Sequence, residues 1–131
     1  VLSLTGFSSN PTFVIIREDK IEYDAASPEI VKSELDKLFH DIDILQRTEL
    51  NPFEIFYYSS LLHLVFVKIH PFQDGNGRTA RLIEKWFLIE KTGDKATSVQ
   101  LEKNYFKRLK DYNSNIRKIG LEYEDLDYSK C

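Results

Sequence analysis

The stretch His70-Pro71-Phe72-Gln73-Asp74-Gly75-Asn76-Gly77-Arg78-Thr79-Ala80-Arg81 gathers the parts of a phosphate-handling site within twelve residues. Gly75 and Gly77 bracket Asn76, so three consecutive residues tolerate unusual backbone angles and their N–H groups can converge on one point. That point falls at the start of a helix opening near Arg78, where the helix dipole is positive and Arg78 and Arg81 add two cations. A polyanion fits there, with phosphate the first candidate. Asp74 would repel phosphate unless a divalent cation lay between them, and Mg²⁺ is typically held by one or two carboxylates plus phosphate oxygens. Asp74 therefore implies a metal. His70, four residues earlier, is a candidate general base for a nucleophile attacking phosphorus. Phe72, apolar in a polar loop, anchors the loop in the core. Taken singly, each of these residues is more often structural than functional; base, carboxylate, amide nest and paired cations together are not explained by structure alone.

These side chains need elements to position them. Phe13 to Ile16 and Ile21 to Tyr23 are β-branched and aromatic runs around the polar Arg17-Glu18-Asp19-Lys20, which predicts a hairpin over about 13–23. Ser27-Pro28 reads as an N-cap followed by proline at the first helical position, and Ile30, Leu35, Leu38, Ile42 and Leu45 recur at helical intervals. Asn51-Pro52-Phe53-Glu54 is a second helix start with a capping box. The helix it opens is apolar on nearly all sides, from Phe56 through Leu61, Leu62, Leu64 to Val67 and Ile69, as expected of the buried centre of a domain. After the loop at 70–78, a helix is predicted from Thr79 to Lys91, apolar at Ala80, Leu82, Ile83, Trp86, Phe87 and Leu88 and ended by Gly93. A last long helix is predicted from Ser98, as its cap, to Ile119, closed by Gly120. The expectation is a mainly α domain of four helices with a β-hairpin, and no parallel sheet.

At 131 residues the chain is about one domain, 1–131, and a polar end after Asp127 is consistent with a fragment of a longer protein. Eighteen basic and 21 acidic side chains leave a net charge of −3, which argues against nucleic acid or a membrane surface as partner and leaves only a local basic site open. The single cysteine, Cys131, excludes an internal disulfide framework and a multi-cysteine zinc site, and points to a reducing, cytoplasmic location. No run reaches a membrane span.

The pattern His70-Pro71-Phe72-x-Asp74-Gly75-Asn76-Gly77-Arg78-x-x-Arg81 resembles the complete signature of the Fic family, which mostly transfers AMP from ATP to protein hydroxyls. The resemblance extends more weakly from about Phe13 to about Tyr105. It implies a compact helical Fic-type domain whose hairpin is the flap that aligns a target segment, with Phe13, Val14, Ile15 and Ile16 as target-binding residues. It further implies His70 as the base that deprotonates a target Ser, Thr or Tyr hydroxyl, and Asp74 as the ligand of Mg²⁺. Gly75, Asn76 and Gly77 would form the phosphate nest, Arg78 would support the phosphate tail, and Arg81 would hold the γ-phosphate. ATP is the implied co-substrate and a protein with an exposed hydroxyl the implied target, in a bacterium or a host cell it delivers into.

The resemblance leaves alternatives: a variant that transfers a terminal phosphate or removes AMP, or a catalytically idle interaction module. Gly77 weighs against the kinase-like variants, which resemble the family but carry a bulkier Lys there. Many members also carry an inhibitory helix with Ser or Thr, three residues, Glu, then Gly or Asn. Here Ser98-Val99-Gln100-Leu101-Glu102 is followed by Lys103, so an inhibitory helix is expected outside this chain, on a partner, or not at all.

Overall fold

The computed structural model describes residues 13–16, 20–118 and 126–130. Strands β1 (Phe13–Ile16) and β2 (Lys20–Asp24) pair antiparallel, with Val14 opposite Tyr23 and Ile15 opposite Ile21. The register shifts between Val14 and Ile15, an irregularity of the kind that locally disrupts a ladder. Residues 17–19 of the expected turn lie outside the described residues. The helices follow as α1 (Pro28–Arg47), α2 (Pro52–Ile69), α3 (Asn76–Thr92), α4 (Leu101–Lys107) and α5 (Leu109–Lys118), with a 3₁₀ segment at Gly93–Ser98 and a short one at Tyr128–Lys130. The fold is mainly helical, as expected.

Helix α1 starts where Ser27 and Pro28 predict, although the Ser27 hydroxyl makes no capping bond; the Ser27 carbonyl accepts from the N–H groups of Ile30 and Val31 instead. Its buried stripe is Val31, Leu35, Leu38 and Ile42. Helix α2 carries the complete capping box: the Glu54 N–H donates to Asn51 Oδ1 at 3.0 Å and the Asn51 N–H donates to Glu54 Oε2 at 2.8 Å. The last turns of α2 are buried all round, from Phe66 to Ile69, as expected of a central helix. Its first turns are not: Phe53, Phe56 and Tyr57 face solvent. The first turns bury Ile55 and Ser59 on one side, and α2 as a whole packs against both α1 and α3.

Helix α3 buries Ala80, Glu84, Phe87 and Leu88, while the apolar Leu82 and Trp86 are exposed. A helix turns 100° per residue, so positions 82 and 86, four apart, share the face opposite that stripe. The α3 end is tied back to α1 by Lys91, whose ammonium donates to the carbonyls of Gln46 and Thr48 at 2.9 and 2.7 Å, supplying a cation at the negative end of α1.

The single helix expected from Ser98 to Ile119 is instead two. Ser98 ends the 3₁₀ segment, with its hydroxyl donating to the Lys95 carbonyl, and Gln100 stands at the α4 N-cap. The break is at Arg108, with φ −116° and ψ 34°. Seven residues of straight helix would separate Tyr105 from Tyr112 by about 10 Å along the axis. The break brings their ring centroids to 5.1 Å. Among the described residues no helix is long and apolar enough to cross a membrane.

Candidate active site

Helix α2 delivers His70, and α3 opens on the loop that follows. His70 caps α2 in the left-handed conformation, φ 52° and ψ 55°, with its N–H donating to the Phe66 carbonyl at 3.1 Å. This turns the imidazole out of the helix line at the entrance to the loop, a backbone position uncommon for a residue with a β-carbon. Burial pushes the His70 pKa below its ordinary value of 6.5, and a hydrogen bond to the Val67 backbone opposes that shift in part. The ring is therefore neutral at pH 7, the form a base requires.

The loop is held by Asn76. Its Oδ1 accepts from the Phe72 N–H at 2.9 Å and its Nδ2 donates to the Phe72 carbonyl at 2.6 Å, with the side chain buried. Phe72 in turn packs on Phe66, ring centroids 6.2 Å apart, which bears out its reading as the loop's anchor. Gly75 takes φ +85°, a conformation that favours glycine, and its carbonyl accepts both the N–H and the hydroxyl of Thr79.

Two details differ from the sequence reading. Helix α3 starts at Asn76 and not near Arg78, so the loop proper is 70–75 and Gly77 and Arg78 are helical. Of the three residues 75–77, only Gly75 takes a left-handed backbone. The amides of Asn76, Gly77 and Arg78 remain first-turn N–H groups of a helix, without an intrahelical acceptor, and they point out of its positive end. At Gly77 a β-carbon would stand 3.4 Å from Arg81 Nη1, so the guanidinium lies back against the first turn. Arg78 donates to Asp74 Oδ2 at 2.9 Å, both side chains well exposed.

After β2, the Ala26 N–H donates to the Lys68 carbonyl at 3.4 Å, so the chain leaves the hairpin against the last turn of α2, two residues from His70. Among the described residues no three His, Cys, Asp or Glu side chains form a metal-binding group, which leaves Asp74 as the carboxylate the loop itself offers. The Glu102 side chain, the proposed end of the inhibitor-like stretch, lies outside the described residues. Among the described residues no carboxylate pairs with Arg81.

Sequence reading passed over one polar group of four. His63 and Glu84, side chains 1% and 4% exposed, are joined at 2.8 Å in the middle of the core, with Tyr105 and Tyr112 bonded to them. The signals were a histidine inside the most apolar helix and a glutamate on the same stripe as Ala80, Phe87 and Leu88.

The fold and site thus define a class: a helical domain in which a buried helix hands a histidine to a glycine-containing, anion-directed helix start. The Fic/DOC family matches residues 5–88, a span that holds the whole motif, and this chain belongs to that family. Its structure is similar to that of a Fic domain containing signaling protein from Bacteroides thetaiotaomicron, with a TM-score of 0.63 and 25% identity, over 92% of this chain and 43% of that one. The chain spans less than half the length of that protein. No curated protein matches it. Family membership makes transferase chemistry the general expectation.

Proposed function

We propose that this chain is an adenylyl transferase that moves AMP from ATP to a Ser, Thr or Tyr hydroxyl of another protein, in the cytoplasm of a bacterium or of a host it enters. The observation that carries this reading is the placement of a neutral, half-buried His70 at the head of a loop whose following helix opens on three amides without intrahelical acceptors and carries Arg78 and Arg81 in its first two turns.

In this reading the triphosphate lies across the first turn of α3. The amides of Asn76, Gly77 and Arg78 donate to phosphate oxygens, Arg81 holds the γ-phosphate, and Arg78 supports the tail. The Asn76 side chain, committed to Phe72, acts by holding the loop's shape. The target oxygen attacks the α-phosphorus as His70 takes its proton; the bond to the bridging oxygen breaks and pyrophosphate leaves. Nδ1 is the buried ring nitrogen, which leaves Nε2 for proton transfer. The hairpin adds the target as an extra strand, presenting its hydroxyl beside His70.

Asp74 fits the role of a Mg²⁺ ligand: it is an exposed carboxylate at the loop, and a Mg²⁺ ion commonly takes one or two carboxylates with the rest from phosphate and water. When bound, Mg²⁺ neutralises charge on the α and β phosphates.

The test is incubation with candidate proteins and ATP labelled at the α or the γ position. Label transferred from the α position alone supports adenylyl transfer. Label from the γ position indicates phosphotransfer, release of AMP from a protein already modified indicates an enzyme that removes AMP, and none of these indicates an interaction module.

A further inference from the structure

The motif residues sit on two helices, and the apolar contacts between α2 and α3 do not by themselves fix how one lies along the other. Leucine and phenylalanine packing tolerates sliding and rotation more readily than directional bonds do. The group at His63 supplies direction. His63 lies two turns before His70 on α2, and Glu84 lies one turn after Arg81 on α3. His63 Nδ1 and Glu84 Oε2 are 2.8 Å apart, Tyr105 Oη donates to the same Oε2 at 2.8 Å, and Tyr112 Oη is 2.9 Å from His63 Nε2.

The proton positions follow from the acceptors. The Glu84 oxygen accepts from Tyr105 and from His63 Nδ1–H, and Nε2 then accepts from the Tyr112 hydroxyl. Burial, with the Glu84 charge beside it, pushes the Tyr105 phenol far up, and burial pushes Tyr112 up to about 12, so both keep their protons. Each of the four side chains is hydrogen-bonded to another of the four, and a satisfied buried polar network rigidifies a core. The rings reinforce it, with His63 against Tyr105 at 4.9 Å and against Tyr112 at 5.6 Å. Arg81 is tied to the network through α3, where it stands one turn before Glu84, and its charge acts on both phenols against the other effects.

We propose that His63, Glu84, Tyr105 and Tyr112 are positioning residues for Arg81: by locking α2, α3 and the α4–α5 break together, they set where its guanidinium stands over the first turn of α3. The inference rests on the nucleotide reading above. It assigns the network to recognition of the far end of the triphosphate, which Arg81 meets, and not to the adenosine monophosphate portion.

The experiment compares binding of ATP and AMP to the full chain by calorimetry, both with Mg²⁺, alongside thermal midpoints and transfer rates. Glu84→Ala should weaken ATP binding about tenfold or more while AMP binding stays within about twofold. Glu84→Gln should recover most of the loss, since its carbonyl oxygen can accept the same two bonds. Tyr112→Phe keeps the ring and removes one hydroxyl; it is the variant to read if Glu84→Ala fails to fold, and it should raise KM for ATP several-fold with kcat within about twofold. An ATP-to-AMP preference equal to wild type in folded variants, or equal loss of both ligands, overturns the inference and leaves the network a structural clamp. A wild-type chain that binds neither nucleotide overturns the adenylyl-transfer reading and this inference with it.

Discussion

Asp74 and Arg78 are bonded to one another, a guanidinium nitrogen donating to Oδ2 at 2.9 Å, with both side chains largely in solvent. The residue assigned to the metal and one of the residues assigned to the phosphates are thus paired across the junction of loop and helix. Such a pair is screened and worth little to the fold, about 0–1 kcal/mol. Asp74→Ala should leave the denaturation midpoint almost unchanged and shift a Mg²⁺ titration of ATP binding to higher concentration. An unchanged Mg²⁺ curve would place the metal elsewhere.

His70→Ala should reduce transfer by about 10²–10⁴-fold, the usual effect of losing a general base, with ATP binding retained. Because burial lowers the His70 pKa below 6.5, the neutral form predominates at pH 7 and is lost as pH falls through the lowered value. The rate should therefore be flat from pH 7 upward and fall on an acid limb below 6.5. The same shift makes His70 contribute to stability with the opposite sign to an ion pair: below its unfolded pKa the unfolded chain binds the proton more readily, so this part of the stability declines as pH drops from 6.5 toward the folded pKa. An acid limb centred above 6.5 would contradict the buried environment, and a variant with near-full activity would remove His70 from the chemistry.

Asn76→Ala strips two bonds from the Phe72 backbone in a buried setting. It should cost about 1–3 kcal/mol by denaturant unfolding and weaken nucleotide binding as the loop loses its shape. Asn76→Asp should do no better, since a carboxylate cannot donate to the Phe72 carbonyl. Full stability and binding in both variants would show that the loop is held by other contacts.

The two motif glycines should respond with opposite signs. Gly75→Ala puts a β-carbon on a backbone at φ +85° and should destabilise by roughly 1–2 kcal/mol. Gly77→Ala is at a helical position, where alanine is favoured by about 1 kcal/mol, so the fold should gain or hold stability. Its β-carbon nevertheless meets Arg81 Nη1 at 3.4 Å, and ATP affinity should fall. Parallel changes in stability and affinity at both positions would refute this division.

Val14→Pro or Ile15→Pro removes a backbone donor from β1, opposite Tyr23 or Ile21 respectively. Either should impair protein modification more than ATP binding if β1 accepts a target strand. Equal losses in the two assays would make the hairpin part of the fold only.

The sequence by itself determined the features written in contiguous residues. The Asn51 capping box, the Pro28 helix start, the Gly93 helix end and the motif from His70 to Arg81 are local signals, because a cap or an amide nest involves neighbours three or four positions apart. Tertiary structure decided what depends on distant partners. His63 and Glu84 are 21 residues apart and His63 and Tyr112 are 49 apart, so no local pattern could show that they share one buried network. The helix break at Arg108 carries no proline or glycine to announce it; it exists where Tyr105 and Tyr112 converge on that network. Leu82 and Trp86 count as apolar in any window of sequence, yet only the packing of α3 reveals that its inward stripe includes Glu84 and leaves those two outside.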